Sequence, residues 1–144
     1  MNHLKVKNVD KSVDFYVKYL NFDLIERAEN SYAILVNSDF NLKLVLENKQ
    51  NDQLRSEPLE LSKPITILEA KHKSFFAKIY KSLVQAGIHV YPVDNVVSWS
   101  IHFSDPDNNN IELYLDRRSE TFMKYSSNGV NIDMERERIF SVLH

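Results

Sequence analysis

Residues 95–116 constrain the fold of this chain more than any other stretch. Trp99, Ile101 and Phe103 alternate with Ser98, Ser100, His102 and Ser104. Further on, Ile111, Leu113 and Leu115 alternate with Glu112, Tyr114 and Asp116. Period two on both sides of a break is the pattern of two strands, each with an apolar and a polar face. The break, Asp105-Pro106-Asp107-Asn108, has turn chemistry: proline fixes φ, and asparagine tolerates the left-handed region. The spacing therefore predicts a hairpin whose polar face carries His102, Glu112 and Tyr114.

The rest of the chain supplies what such a hairpin can pack with. Residues 3–9 read as a short strand. A helix follows, capped by Asn8 or Asp10 and running to Leu20, with Val13, Tyr16, Val17 and Leu20 on one stripe. Asn21 stands where a C-terminal cap with positive φ is expected. Three strands are predicted over 23–28, 32–37 and 42–47, divided by the turn pairs Asn30-Ser31 and Ser38-Asp39. After a polar stretch at 48–60 the same order returns: a strand over 61–70, a helix over 72–86 stopped by Gly87, a strand over 88–93, then the hairpin. The element order is βαβββ twice, a repeat of order rather than of sequence. One such module cannot bury both its sheet face and its helix; two together can. Residues 118–144 lie outside the repeat. There Ile132, Ile139, Phe140 and Leu143 are expected to form a short amphipathic helix docked on its own domain or on a partner subunit.

Composition removes several classes of function. At 144 residues, 43% hydrophobic and 26% charged, the chain is the size of one domain or two small modules. A formal net charge of −2 gives no reason to expect nucleic acid or an anionic membrane as partner. With no cysteine there is no disulfide framework, thiolate metal site or thiol nucleophile. The two glycines, Gly87 and Gly129, cannot make a phosphate-cradling loop or a nucleophile elbow. The N-terminal segment lacks a signal peptide's apolar run and no stretch approaches a membrane span, so a cytoplasmic protein is the expectation.

Two segments carry a resemblance to a known family. The first is Asn8-Val9-Asp10-Lys11-Ser12-Val13-Asp14-Phe15-Tyr16 with Tyr19-Leu20-Asn21-Phe22. The second is Asp94-Asn95-Val96-Val97-Ser98 with residues 103–114, Phe103-Ser104-Asp105-Pro106-Asp107 through Ile111-Glu112-Leu113-Tyr114. Together they resemble the vicinal oxygen chelate superfamily of glyoxalases, bleomycin-resistance proteins and extradiol dioxygenases, and the second is similar to the dioxygenase branch in particular. The resemblance covers residues 1 to about 117. It implies an α+β fold of two paired βαβββ modules forming a cleft: module one at 1–47, a linker at 48–60, module two at 61–117, and a C-terminal extension at 118–144. It also implies a homodimer. Asn21 and Asn108 both stand where the family usually has glycine.

The family's chemistry, a divalent ion chelating neighbouring substrate oxygens, is implied by the same resemblance. Carried over residue by residue, the hairpin carboxylate ligand matches Glu112. The first-strand histidine position falls on Met1, with His3 one strand period, roughly 7 Å, further along. The second histidine position falls on Pro64 or Ile65. The histidine before Val-Ser in the dioxygenase branch is Asn95, and the hairpin tyrosine is His102. His3, His102 and Glu112 are thus the candidate ligands of a rearranged site for Fe, Mn, Ni or Zn. Asn95, His102 and Tyr114 are candidate ligand-binding residues. Glu47 reads as strand-end solvation, and His72 and His89 as surface. The preferred function is small-molecule binding in the cleft with the metal site altered or lost. The alternative is a divalent-metal-dependent lyase, isomerase or ring-cleaving dioxygenase.

Overall fold

The computed structural model describes residues 2–49, 66–118, 132–133 and 136–143. The fold is α+β, with βαβββ order occurring twice. The chain divides into two compact units, Met1–Thr66 with Ser104–Asn110, and Ile67–Phe103 with Ile111–His144. The stretch at 50–65, including most of the expected linker and the start of the fifth strand, lies outside the described residues, as does 119–131.

In the first unit, strand β1 (Asn2–Val6) leads into helix α1 (Val9–Leu20), followed by β2 (Asp23–Ala28), β3 (Tyr32–Asn37) and β4 (Leu42–Asn48). The sheet order is β1-β4-β3-β2, with β1 parallel to β4. Strand β1 ends at Val6, short of the expected residue 9, because Asn8 is taken by the helix. Its side chain accepts the Lys11 N–H at 3.1 Å, filling one of the unpaired donors of the first turn. Asp10 in the first turn and Lys18 in the last suit the helix dipole. Val9, Val13, Tyr16 and Leu20 form the buried stripe. Val17 was expected on that stripe but is 41% exposed; with Val13, Phe22 and Leu24 it lines a groove beside β2. Asn21 closes the helix at φ 61°, as its place in the sequence requires. A bulge between Leu24 and Glu26 turns Ile25 outward on the edge strand.

The turn at 105–109 belongs to this first unit. Asp105, 4% exposed, collects donors: the Asp107 N–H at 2.8 Å, the Asn109 N–H at 2.9 Å, Asn109 Nδ2 at 2.9 Å and the Tyr16 hydroxyl at 2.7 Å. Asp107 accepts from the Lys7 N–H at 2.8 Å and Ser12 Oγ at 3.3 Å. Asn108 has φ 63°, the second asparagine in a left-handed position.

The second unit holds β5 (Thr66–Glu69), α2 (Lys73–Gln85), β6 (Tyr91–Asp94), β7 (Ser98–Ser104), β8 (Asn110–Asp116), β9 (Ile132–Asp133) and α3 (Arg136–Phe140), which ends in a 3-10 turn. Sheet order is β5-β8-β7-β6-β9. Phe76, Ile79, Tyr80 and Leu83 of α2 are buried, as their spacing requires. Gly87, at φ 78°, stops this helix: its N–H bonds to Val84 O at 3.0 Å and that of Ile88 to Leu83 O at 3.0 Å. These bonds commit residue 88 to the cap, so β6 begins at Tyr91 rather than 88. The tail departs from the expected single helix. Ile132 lies in β9, which pairs antiparallel with β6, and only 136–143 is helical. Ile139 is fully buried and Phe140 packs on Tyr80 with ring centroids 5.4 Å apart. Among the described residues no helix is long and apolar enough to cross a membrane.

Candidate functional site

Alternation along β7 and β8 produces two unlike faces. Trp99, Ile101, Phe103, Ile111, Leu113 and Leu115 are buried, and Phe76 of α2 lies 6.3 Å from Trp99, centroid to centroid. Ser98, His102, Glu112 and Tyr114 are only half-buried. His102 and Glu112 meet across the two strands, Nε2 to Oε1 at 3.8 Å. That separation is too long for a hydrogen bond. Two groups bound at ~2.1 Å to one ion stand about 3–4 Å apart, so the pair matches two ligands of one metal.

Tyr114 hydrogen-bonds to Glu69 of β5. Its pKa is raised, first by burial, then by the nearby Glu69 charge and this bond, then by Asp116 and Glu112. The hydroxyl is therefore held protonated with its one proton directed at Glu69, which leaves its oxygen as an acceptor. At the other end of the face, Asn95 Nδ2 donates to Ser100 Oγ at 3.1 Å and Ser98 Oγ at 3.3 Å. Asn95 Oδ1 is buried and has no hydrogen-bond partner among the described residues, an arrangement that costs about 1–3 kcal/mol unless a donor is supplied. Tyr91, 60% exposed, stands opposite His102 in the β6–β7 register.

Asn95 opens a tight turn. The Val97 N–H returns to Asn95 O at 2.9 Å around Val96, which has φ 72°. For a β-branched residue this is a strained conformation. Asp94 Oδ1 holds the Val96 N–H at 2.8 Å. Neither this turn nor the Glu69 bond to Tyr114 was read from the sequence. An Asp two residues ahead of Val96 is the only local signal, since no glycine marks the positive φ.

His3 lies in the first unit. Its Nδ1 is 2.8 Å from Glu47 Oε1, and Lys5 Nζ is 2.8 Å from Glu47 Oε2. Glu47 is thus a paired carboxylate inside β4 rather than a strand-end solvating group. Lys5 first and His3 second hold its pKa below the usual value. Within either unit, among the described residues, no three His, Cys, Asp or Glu side chains converge as a metal site requires. In the second unit His102 and Glu112 supply two donors; in the first, Lys5 occupies one oxygen of the carboxylate beside His3.

The sequence model of the Glyoxalase/Bleomycin resistance protein/Dioxygenase superfamily matches residues 1–113. The chain belongs to this superfamily. A curated relative, the catechol-2,3-dioxygenase of Bacillus subtilis (strain 168), is 24% identical over 121 residues, 84% of this chain but 42% of its own length. The chain thus spans less than half of that protein. Among solved structures, a glyoxylase/bleomycin resistance protein/dioxygenase domain from Frankia sp. EAN1pec aligns with TM-score 0.68 and 21% identity, over 83% of this chain and 91% of that one. A lactoylglutathione lyase from Agrobacterium tumefaciens aligns with TM-score 0.63 and 15% identity, over 87% and 96%. At these identities the structural likeness is one of fold, and superfamily membership leaves the chemistry to be argued from the side chains.

Proposed function

We propose that this superfamily member binds a small planar molecule bearing adjacent oxygens on the polar face of the second unit's sheet, without a bound metal. The observation that carries the reading is the grouping of Glu112, His102 and Tyr114 on one half-buried face where, among the described residues, only two metal-capable donors are within reach of each other. Such a face orients a ligand by hydrogen bonds. Glu112 accepts, the Tyr114 oxygen accepts while its proton is held by Glu69, His102 does either, and Asn95 fixes the Ser98 and Ser100 hydroxyls beside them. Tyr91 supplies an exposed ring for stacking.

A metal-dependent reading has one observation in its favour, the 3.8 Å spacing of His102 and Glu112. A divalent ion there would act as a Lewis acid on the ligand's oxygens. Two protein donors fall short of the three that catalytic sites of this kind use, so the described residues of this face do not make such a site.

An NMR titration with planar fragments carrying neighbouring oxygens, catechol among them, tests the proposal in buffer containing EDTA. Shifts at His102, Glu112 and Tyr114, weakened about tenfold by Glu112→Gln through loss of one charge-assisted bond, are expected. Shifts that appear only after Mn, Fe, Ni or Zn is added would transfer the assignment to the metal-dependent reading. No shifts at these residues under either condition would refute both.

A further inference from the structure

The C-terminal segment is joined to the strained turn through a single carboxylate. Asp94 is 9% exposed and ends β6. Its Oδ1 accepts the Val96 N–H at 2.8 Å, the bond that holds Val96 at φ 72°. Its Oδ2 accepts from Arg138 Nη1 of α3. The backbone makes the same connection, since Asp94 pairs with Ile132 and Val93 with Asp133 where β9 adds to β6. Arg138 also lies over the Trp99 ring, 6.0 Å from its centroid, and Arg117 lies on it at 4.2 Å. The Arg117 N–H closes the far side of the turn on Val97 O at 2.7 Å.

We propose that the C-terminal segment is a clamp on the Asn95 turn, with Arg138 as its positioning residue and Asp94 as the joint. The physical reason is strain. A valine in the left-handed region persists only where its surroundings over-determine it. Here the surroundings are the two oxygens of Asp94, one on the turn and one on the tail. With Arg138 in place, the carboxylate is fixed in the rotamer that reaches the Val96 N–H. Without Arg138, the carboxylate turns to water, Val96 relaxes to negative φ, and the Asn95 side chain leaves Ser98 and Ser100. Docking of the tail and formation of the turn are then one cooperative event. The polar face is complete only in the docked state. The inference goes beyond ligand binding and does not rest on it, because its test uses no ligand.

The test compares Arg138→Gln and Val96→Gly, singly and together, in the full chain. Glycine adopts φ 72° without penalty, so the turn in Val96→Gly holds unaided. Amide exchange at Val96 reads the turn directly. Trp99, the single tryptophan, reports the same region by fluorescence. Far-UV circular dichroism keeps unfolded variants from being counted.

Arg138→Gln is expected to speed Val96 exchange at least about tenfold, the scale on which a local opening unit loses a charge-assisted bond. In the Val96→Gly background the same substitution is expected to change exchange at residue 96 less than threefold. Equal acceleration in both backgrounds would overturn the strain-clamp coupling, and so would unchanged Val96 exchange in folded Arg138→Gln. If Arg138→Gln does not fold, Arg138→Lys takes its place. Lysine keeps the charge but loses the fork geometry, and intermediate acceleration at Val96 is expected. Wild-type exchange in that variant would overturn the clamp.

Discussion

Removing one oxygen atom from helix α1 should destabilise the first unit more than its size implies. In Tyr16→Phe the ring stays in its packing, edge-on to Phe15 at 5.3 Å and to Phe22 at 5.7 Å, so no cavity larger than a hydroxyl opens. What is lost is the 2.7 Å bond to Asp105, a carboxylate only 4% exposed. A hydrogen bond to a buried charge contributes about 1.5–3 kcal/mol. Asp105 keeps the Asp107 and Asn109 donors, which places the expected loss near the middle of that range, about 2 kcal/mol. Urea denaturation at constant m-value measures it. Tyr32→Phe is the control. Its hydroxyl bonds to Glu26 at 2.6 Å, a shorter contact but an exposed one, and its loss should cost far less than that of Tyr16. The pH dependence adds a sign. Burial first, then the Asp105 charge and bond, raise the Tyr16 pKa far above its ordinary 10. A raised folded pKa stabilises fully below pH 10 and is lost as pH rises beyond it. The gap between wild type and Tyr16→Phe should therefore narrow in alkali. A Tyr16→Phe cost no greater than that of Tyr32→Phe would refute the claim that Asp105 is a buried anchor.

Other outcomes follow from the same contacts. Glu47 has a lowered pKa because of Lys5 and then His3, so its contribution is present above pH 4.5 and lost as pH falls through the folded value. Lys5→Met should move the acid-unfolding midpoint to higher pH, and an unmoved midpoint would contradict the pairing. Asn21→Gly and Asn108→Gly, at φ 61° and 63°, should each raise stability by about 0.5 kcal/mol by relieving the left-handed backbone. A fall in thermal midpoint for both would show that the asparagine side chains matter there. Tyr114→Phe should weaken fragment binding while leaving the unfolding free energy from urea denaturation within about 0.5 kcal/mol of wild type, because its hydroxyl lies on a half-buried face.

The hairpin and α1 were readable because local signals agreed there with the tertiary fold. Period two placed Trp99, Ile101 and Phe103 inside and His102 and Glu112 outside, and asparagines marked two left-handed turns. Residue 17 was misread because spacing places a side chain on a stripe but not at its edge. The tail was misread because a two-residue strand has no periodicity. Ile132 is in β9 only because the β6 edge is there to pair with. The site was legible in part. The shared face of His102, Glu112 and Tyr114 follows from alternation alone. The Lys5 and His3 bonds to Glu47 depend on the parallel register of β1 with β4, and the Asp94–Arg138 joint bridges residues far apart in the chain. No local pattern encodes either.

Metal content and metal dependence bear most directly on the central claim that the His102–Glu112 face acts without an ion. Protein purified without chelator should carry far less than stoichiometric Fe, Mn, Ni or Zn by elemental analysis. Its fragment binding at His102, Glu112 and Tyr114 should persist in EDTA. Near-stoichiometric retention of one of these metals, lost in Glu112→Gln together with all fragment binding, would contradict it.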